Sequence, residues 1–315
     1  MNMQTKLTSL LGIEYPVLQG AMAWVSEARM AAAVSAAGGA GIIATGGQSG
    51  AWVREQIRLA KSLTSKPFGV NVTLLSPTKD EVIEVICEEK VAFVTIGAGN
   101  SVPYFPVFDK AGIKKIPIVP NAKLAQRVEA SGADAIVIEG MEAGGHIGVL
   151  TTMALMTQVI PLVSIPVVAA GGFADGRGLA AALVMGAAGV QIGTRFMVAE
   201  ECPVHAKFKE KLLAAVDTDT VVTGATIGHG VRGLKNKFTE KFLALERSGT
   251  PVEELNRLAA GTNRLAAVDG DIENGMVQAG QSLLPLKKIE PVKDIIAAIV
   301  AEAGRVLAGA PGLVK

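Results

Sequence analysis

The chain has few aromatic residues, 4% of its 315 positions, so an interior of this size must be filled with Ala, Val, Ile and Leu. Cysteine is scarcer still. Cys87 and Cys202 stand far apart with no CxxC partner. That spacing excludes a disulfide framework and a cysteine-rich zinc site, and fits a reducing compartment. The net charge is +1, so no excess of one sign argues for nucleic acid or an acidic membrane surface. The opening residues show no charged segment leading into an apolar run, and we read no signal peptide in them. Long unbroken apolar runs are also missing. Between Glu142 and Asp175 there is no Asp, Glu, Lys or Arg, yet Gln158, Pro161, Pro166, Gly171 and Gly172 divide the stretch. Its pieces fall far short of the about 20 residues that a membrane span needs. We expect a soluble, cytoplasmic protein with no membrane, nucleic-acid or metal partner.

What the sequence does have is glycine, 36 residues of it, and short apolar runs that suit buried parallel strands. The runs begin at Val17, Gly41, Phe68, Val91, Ile116, Ala135, Val167 and Val190, 19 to 32 residues apart. Segments with helical spacing lie between them, at 51–63, 79–88 and 123–130. Eight such βα units predict a (β/α)8 TIM barrel, with an open Rossmann-type sheet as the rival. After Thr194 the pattern changes, and 200–287 reads as a small, mainly helical domain inserted after strand eight. Residues 1–199 and 288–315 would form the barrel. A stripe of Val292, Ile295, Ile296, Ile299, Ala303 and Val306 would bring the last helix back to the barrel wall.

Strand ends of such a barrel carry its chemistry. The widest spacing follows the sixth strand and contains residues 140–148, GMEAGGHIG, flanked by Glu139. Its glycines permit close backbone approach to a ligand. His146 is the candidate acid or base, because imidazole titrates near neutral pH; a solvated or structural histidine is the plainer alternative. Gly171 and Gly172 after strand seven, with Gln191, Gly193 and Thr194 at strand eight, have the composition of a phosphate site or merely of tight turns. Asn71 ends a strand and would bond a planar heterocycle or cap a turn. Glu139 would meet a ligand or water. Residues 228–233, GHGVRG, match GxGxxG, but Glu246 sits in a helical run and no second strand follows, so a dinucleotide site is rejected. His229 and Arg232 would reach the mouth or stay on the surface, and Arg232, Lys235 and Lys237 would form a basic rim or a solvated face. His205 reads as a surface residue.

Taken in order, YPVLQGAMAW, KPFGVN, EGMEAGGHIG, IPVVAAGGFADG and VQIGTRF resemble the FMN-dependent flavoenzymes that comprise type II enoyl-acyl-carrier-protein reductases and nitronate monooxygenases. GHGVRGLKN, LTTM and AGQ resemble the reductase branch more closely. The resemblance covers nearly the whole chain. It implies FMN across the barrel mouth, bordered by Gly20, Ala21 and Met22, with Asn71 and Glu139 on its polar edge or ribityl chain. Gly171, Gly172, Gly193 and Thr194 would hold the phosphate, with Gln191 and Gly145 also against the cofactor. His146 matches the family's active-site histidine. Ala21 stands where relatives often have glycine and adds only a methyl group. The implied reaction is reduction of the trans-2 double bond of an enoyl-acyl-carrier-protein thioester by NADH or NADPH, in a homodimer. The alternative is oxidation of nitroalkanes with O2. A flavin- or phosphate-binding protein without turnover is the third possibility.

Overall fold

The computed structural model describes residues 3–313, so the outermost ends of the expected barrel range lie outside the described residues. A short helix, α1 (Lys6–Leu11), comes first; Thr5 caps it and Gly12, at φ 68°, ends it. Then follow β1 (Val17–Gln19), α2 (Ala28–Ala36), β2 (Ile42–Ala44), α3 (Gly50–Leu63), β3 (Gly69–Thr73), α4 (Lys79–Glu89) and β4 (Phe93–Gly97). Next are α5 (Phe105–Ala111), β5 (Lys114–Val119), α6 (Ala122–Ala130), β6 (Ile136–Glu139) and a two-residue strand, β7 (Gly145–His146). The series ends with α7 (Thr152–Val159), β8 (Val167–Ala170), α8 (Gly176–Val184), β9 (Gly189–Ile192) and α9 (Thr194–Met197).

Eight of these strands form one parallel sheet in the order β1-β9-β8-β6-β5-β4-β3-β2. The Gln19 N–H donates to the Ala40 carbonyl and the Ala40 N–H to Val17, both at 3.0 Å, drawing β1 against the chain entering β2. The result is a nearly closed (β/α)8 barrel, as the strand spacing predicts. Its interior is packed by Leu18, Ile42, Phe93, Ile116, Val137 and Val168. Gly69 makes room for the Phe93 ring, since a Cβ there would lie 2.4 Å from it. Helix α1 plugs the amino-terminal end, adding Leu7 and Leu11 to the same cluster. A second layer joins the outer strand faces to the helices. Burying each such side chain contributes roughly 1.5–3 kcal/mol.

Beyond α9 the chain forms α10 (Ala206–Ala214), β10 (Thr220–Thr223), β11 (Val231–Leu234), α11 (Lys237–Arg247), α12 (Val252–Ala259) and α13 (Thr262–Ala267). Helices predominate, and Phe238, Phe242, Leu255 and Met276 form a small core of their own. The hairpin β10–β11 is a feature the sequence reading lacks. It pairs antiparallel with β7, inside the glycine-rich loop of the barrel. The last helix, α14 (Val292–Gly309), packs on α8 and α2. Gly176 allows that contact, because a Cβ there would meet the Ile299 carbonyl at 2.3 Å. The expected stripe is buried from Val292 to Ala303, whereas Val306 is 41% exposed and lies outside it.

Candidate active site

The carboxyl ends of the strands surround one cleft. Its wall is made by Gly20, Ala21 and Met22 after β1, Glu139 and Glu142 to Gly144 after β6, and Ala170 to Phe173 after β8. Gln191, Gly193 and Thr194 of β9 and α9 continue it, and Gly280 and Ser282 arrive from the far end of the inserted region. Nine expected site residues therefore share one surface: Gly20, Ala21, Met22, Glu139, Gly171, Gly172, Gln191, Gly193 and Thr194. Asn71, Gly145 and His146 lie off that wall. Asn71 is buried. Its Nδ2 donates to Thr95 Oγ1 at 3.0 Å and its Oδ1 accepts from Thr73 Oγ1 at 3.2 Å, which ties β3 to β4.

Close backbone packing shapes the cleft. Gly171 and Gly172 sit at φ 93° and 83°, a region costly for any residue with a Cβ. A Cβ on Gly171 would also come within 2.9 Å of the Gly140 carbonyl and of Thr152 Oγ1. Glu142, on the loop after β6, accepts the Thr152 N–H with both oxygens, at 3.0 and 2.9 Å, and the Thr152 hydroxyl at 3.0 Å. Its negative charge thus rests at the amino terminus of α7, where the helix dipole favours it. The Gly280 N–H donates to Thr194 Oγ1 at 2.9 Å, and the Gln281 N–H to the Glu142 carbonyl at 2.9 Å. Glu142, Ala143, Gly144, Phe173, Gly280 and Ser282 are wall residues that the sequence reading did not assign. For Gly280 the motif AGQ was the one available signal.

His146 stands at the rim, held by backbone. It pairs with Val231 and Gly145 with Arg232 in the β7–β11 ladder, and the Ile147 N–H donates to the Gly230 carbonyl at 3.0 Å. The side chain keeps an exposed face, while protein packed round the rest of it pushes its pKa below the usual 6.5. The charge of His229, two residues before Val231, lowers it further. His229 therefore lies near His146, and neither is on the cleft wall. Arg232 turns inward and is 5% exposed, so it contributes nothing to a basic rim; Lys235 and Lys237 are exposed without it. Arg232 Nε donates to the Met141 carbonyl at 2.9 Å and Nη1 to Thr220 Oγ1 at 3.0 Å. The GxGxxG segment is the turn and second strand of a hairpin, not a nucleotide loop. Glu246 anchors that turn by accepting the N–H groups of Gly224 and Thr226 at 3.1 and 2.9 Å. His205 is exposed and caps α10.

Two groups in the cleft lack protein partners. Gln191 Oε1 is buried and accepts no hydrogen bond among the described residues. Buried polar atoms are rarely left so, which marks a place for a ligand donor. Glu139 lines the cleft and is half-buried. Desolvation raises its pKa to about 7. Free acceptors beside glycine backbones fit a planar, polar-edged cofactor carrying a phosphate.

The family model of nitronate monooxygenases matches residues 4–84 and 75–302. The chain belongs to this family. Its members are flavin-dependent oxidoreductases. Among solved structures, FabK from Thermotoga maritima is 45% identical, with a TM-score of 0.96 over 99% of this chain and 100% of that one. A nitroalkane oxidase from Streptomyces ansochromogenes is 27% identical, with a TM-score of 0.85 over 97% and 100%. A curated relative from Rhodococcus jostii is 35% identical over 96% of both chains. It is a (3aS,4S,5R,7aS)-5-hydroxy-7a-methyl-1-oxo-octahydro-1H-indene-4-carboxyl-CoA dehydrogenase. The barrel and its flavin chemistry follow from membership.

Proposed function

We propose that the chain is an FMN-dependent reductase that saturates the trans-2 double bond of enoyl thioesters on acyl-carrier protein, with NADH or NADPH as reductant. The observation that carries this reading is the likeness to FabK, an enoyl-acyl-carrier-protein reductase, at 45% identity over 99% of the chain. The hairpin strand of the GHGVRGLKN segment, laid against Gly145 and His146, supports it. The Rhodococcus relative, a carboxyl-CoA dehydrogenase by name, supports a thioester as substrate class.

In this reading Gly171, Gly172, Gly193 and Thr194 hold the phosphate of FMN, and Gly20, Ala21 and Met22 lie along its ring. Gln191 Oε1 offers the ring edge an acceptor with no other use. Glu139, with a pKa near neutrality, holds a proton or releases it according to what faces it. When bound, the flavin supplies hydride transfer between nicotinamide and the carbon–carbon double bond. His146 holds the proton destined for the thioester Cα. Because its pKa is depressed, the imidazole is largely neutral at neutral pH, and the minor imidazolium fraction is the stronger acid. The packed glycine loop and the 279–282 segment narrow the access of water. The working form in this proposal is a cytoplasmic homodimer, which sedimentation of the purified protein tests.

Anaerobic mixing with NADH or NADPH and then crotonyl-acyl-carrier protein or crotonyl-CoA tests the reaction. Bleaching of the flavin absorbance followed by its recovery is expected. The likeness to a nitroalkane oxidase favours a second reading, oxidation of nitroalkanes. Oxygen uptake with a nitroalkane, and no recovery with the thioester, would establish that reading instead.

A further inference from the structure

We infer that Arg232 is a positioning residue: its buried guanidinium, gripping the Met141 carbonyl through Nε and Thr220 through Nη1, fixes the pose from which His146 moves its proton. The inference rests on the reading that His146 is the proton-carrying group of this site.

A guanidinium taken out of water loses several kcal/mol of hydration unless strong partners replace it. Here the partners are neutral oxygens. Among the described residues no carboxylate lies within ion-pair distance of Arg232. Glu142 acts on it only through its charge, and desolvation outweighs that attraction, holding the pKa of Arg232 below the usual arginine value. Tethering the hairpin does not require such a cation, since the ladder bonds and the Ile147 to Gly230 bond already do so.

What those bonds leave undone is closure of the loop. Its upstream end is set by the Gly140 N–H on Ala170 at 3.0 Å and the Met141 N–H on Leu150 at 2.8 Å. Its downstream end is set by β11. Arg232 joins the two, because its backbone is in register with Gly145 while its side chain holds Met141. Residues 141 to 145 thereby become a closed ring, with His146 the next residue after it. Lysine has no N–H at the Nε position and one terminal nitrogen, so it cannot hold both oxygens in this geometry.

Arg232→Lys and Arg232→Met are therefore expected to keep bound flavin while kcat for thioester reduction falls on the order of 10- to 100-fold, the scale of a misplaced catalytic group, with lysine the milder. KM should change far less. Thr220→Val, which removes one acceptor, should act in the same direction and more weakly. A readout independent of the reaction is the NMR titration of the three histidines, His146, His205 and His229. The titratable group acting on His146 is His229 of the hairpin; Arg232, paired with Gly145, turns its side chain to the other face of the ladder. In Arg232→Lys the His146 midpoint should move toward 6.5 as the loop loosens, while His205 stays as in the wild type. A normal His146 titration accompanied by a lowered melting temperature, or a loss confined to KM, would overturn the inference. A shifted His146 midpoint in a protein that reduces no thioester would uphold the positioning role and sink the reductase reading alone.

Discussion

Thr194 Oγ1 accepts the Gly280 N–H at 2.9 Å, joining the start of α9 to a segment 86 residues downstream, and both residues are on the cleft wall. Thr194→Val leaves a buried N–H without a partner, at a cost of about 1–3 kcal/mol. Thr194→Ser keeps the oxygen. Melting curves with and without FMN should show the valine protein destabilised and weaker in flavin binding, and the serine protein close to wild type.

Two glycines on the same wall should answer differently to a methyl group. In Gly171→Ala the Cβ meets backbone and a fixed hydroxyl at 2.9 Å in a strained conformation, so stability and flavin binding should both fall. In Gly193→Ala the Cβ meets Met22 Sδ at 3.4 Å, an ordinary contact. That variant should melt like the wild type while binding FMN less tightly, as equilibrium fluorescence titration would show.

Glu139 gives the apoprotein a pH signature. Its folded pKa of about 7 lies above its usual 4.5, so the stability linked to its protonated form is complete below about 4.5 and is lost as pH rises through 7. Glu139→Gln removes the ionisation. Relative to wild type it should be near neutral at pH 4 and stabilising at pH 8, by ~3 kcal/mol at the upper limit. Because Glu139 lines the cleft and is only half-buried, water there reduces the gain. Urea denaturation at the two pH values measures it.

His146 has the opposite sign. Its folded pKa is below 6.5, so the folded state binds fewer protons than the unfolded one. Stability is therefore full above about 6.5 and declines as pH falls from there to the folded pKa. His146→Gln should abolish that decline and lower kcat roughly 10²- to 10⁴-fold with FMN still bound. His229→Asn removes a neighbouring charge, so the midpoint of the pH–rate profile assigned to His146 should move upward.

Much of the barrel was legible because its strands are buried on both faces and read as plain apolar runs. The expected helix at 51–63 is α3 (Gly50–Leu63), and that at 79–88 is α4 (Lys79–Glu89). Glycines at the carboxyl ends of β8 and β9 located most of the cleft. The hairpin was not legible for a physical reason. Thr220–Thr223 is mostly half-buried and Val231–Leu234 contains Arg and Gly, so neither has the apolar signature of a barrel strand. The partner of β11 is a two-residue strand in a glycine loop, a long-range pairing with no local pattern. The inward turn of Arg232 and the Asn71–Thr95 bond are likewise set by neighbours distant in sequence.

The ladder between β7 and β11 also orders events during synthesis of the chain. His146 is made early, but the strand that fixes its direction is complete only at Leu234, and the final pieces of the cleft wall, Gly280 and Ser282, come later still. A chain that has just completed its eighth barrel strand can hold the loop through Met141 and Glu142, but its His146 end still lacks the partner strand. The cleft wall is complete only once Ser282 has been made.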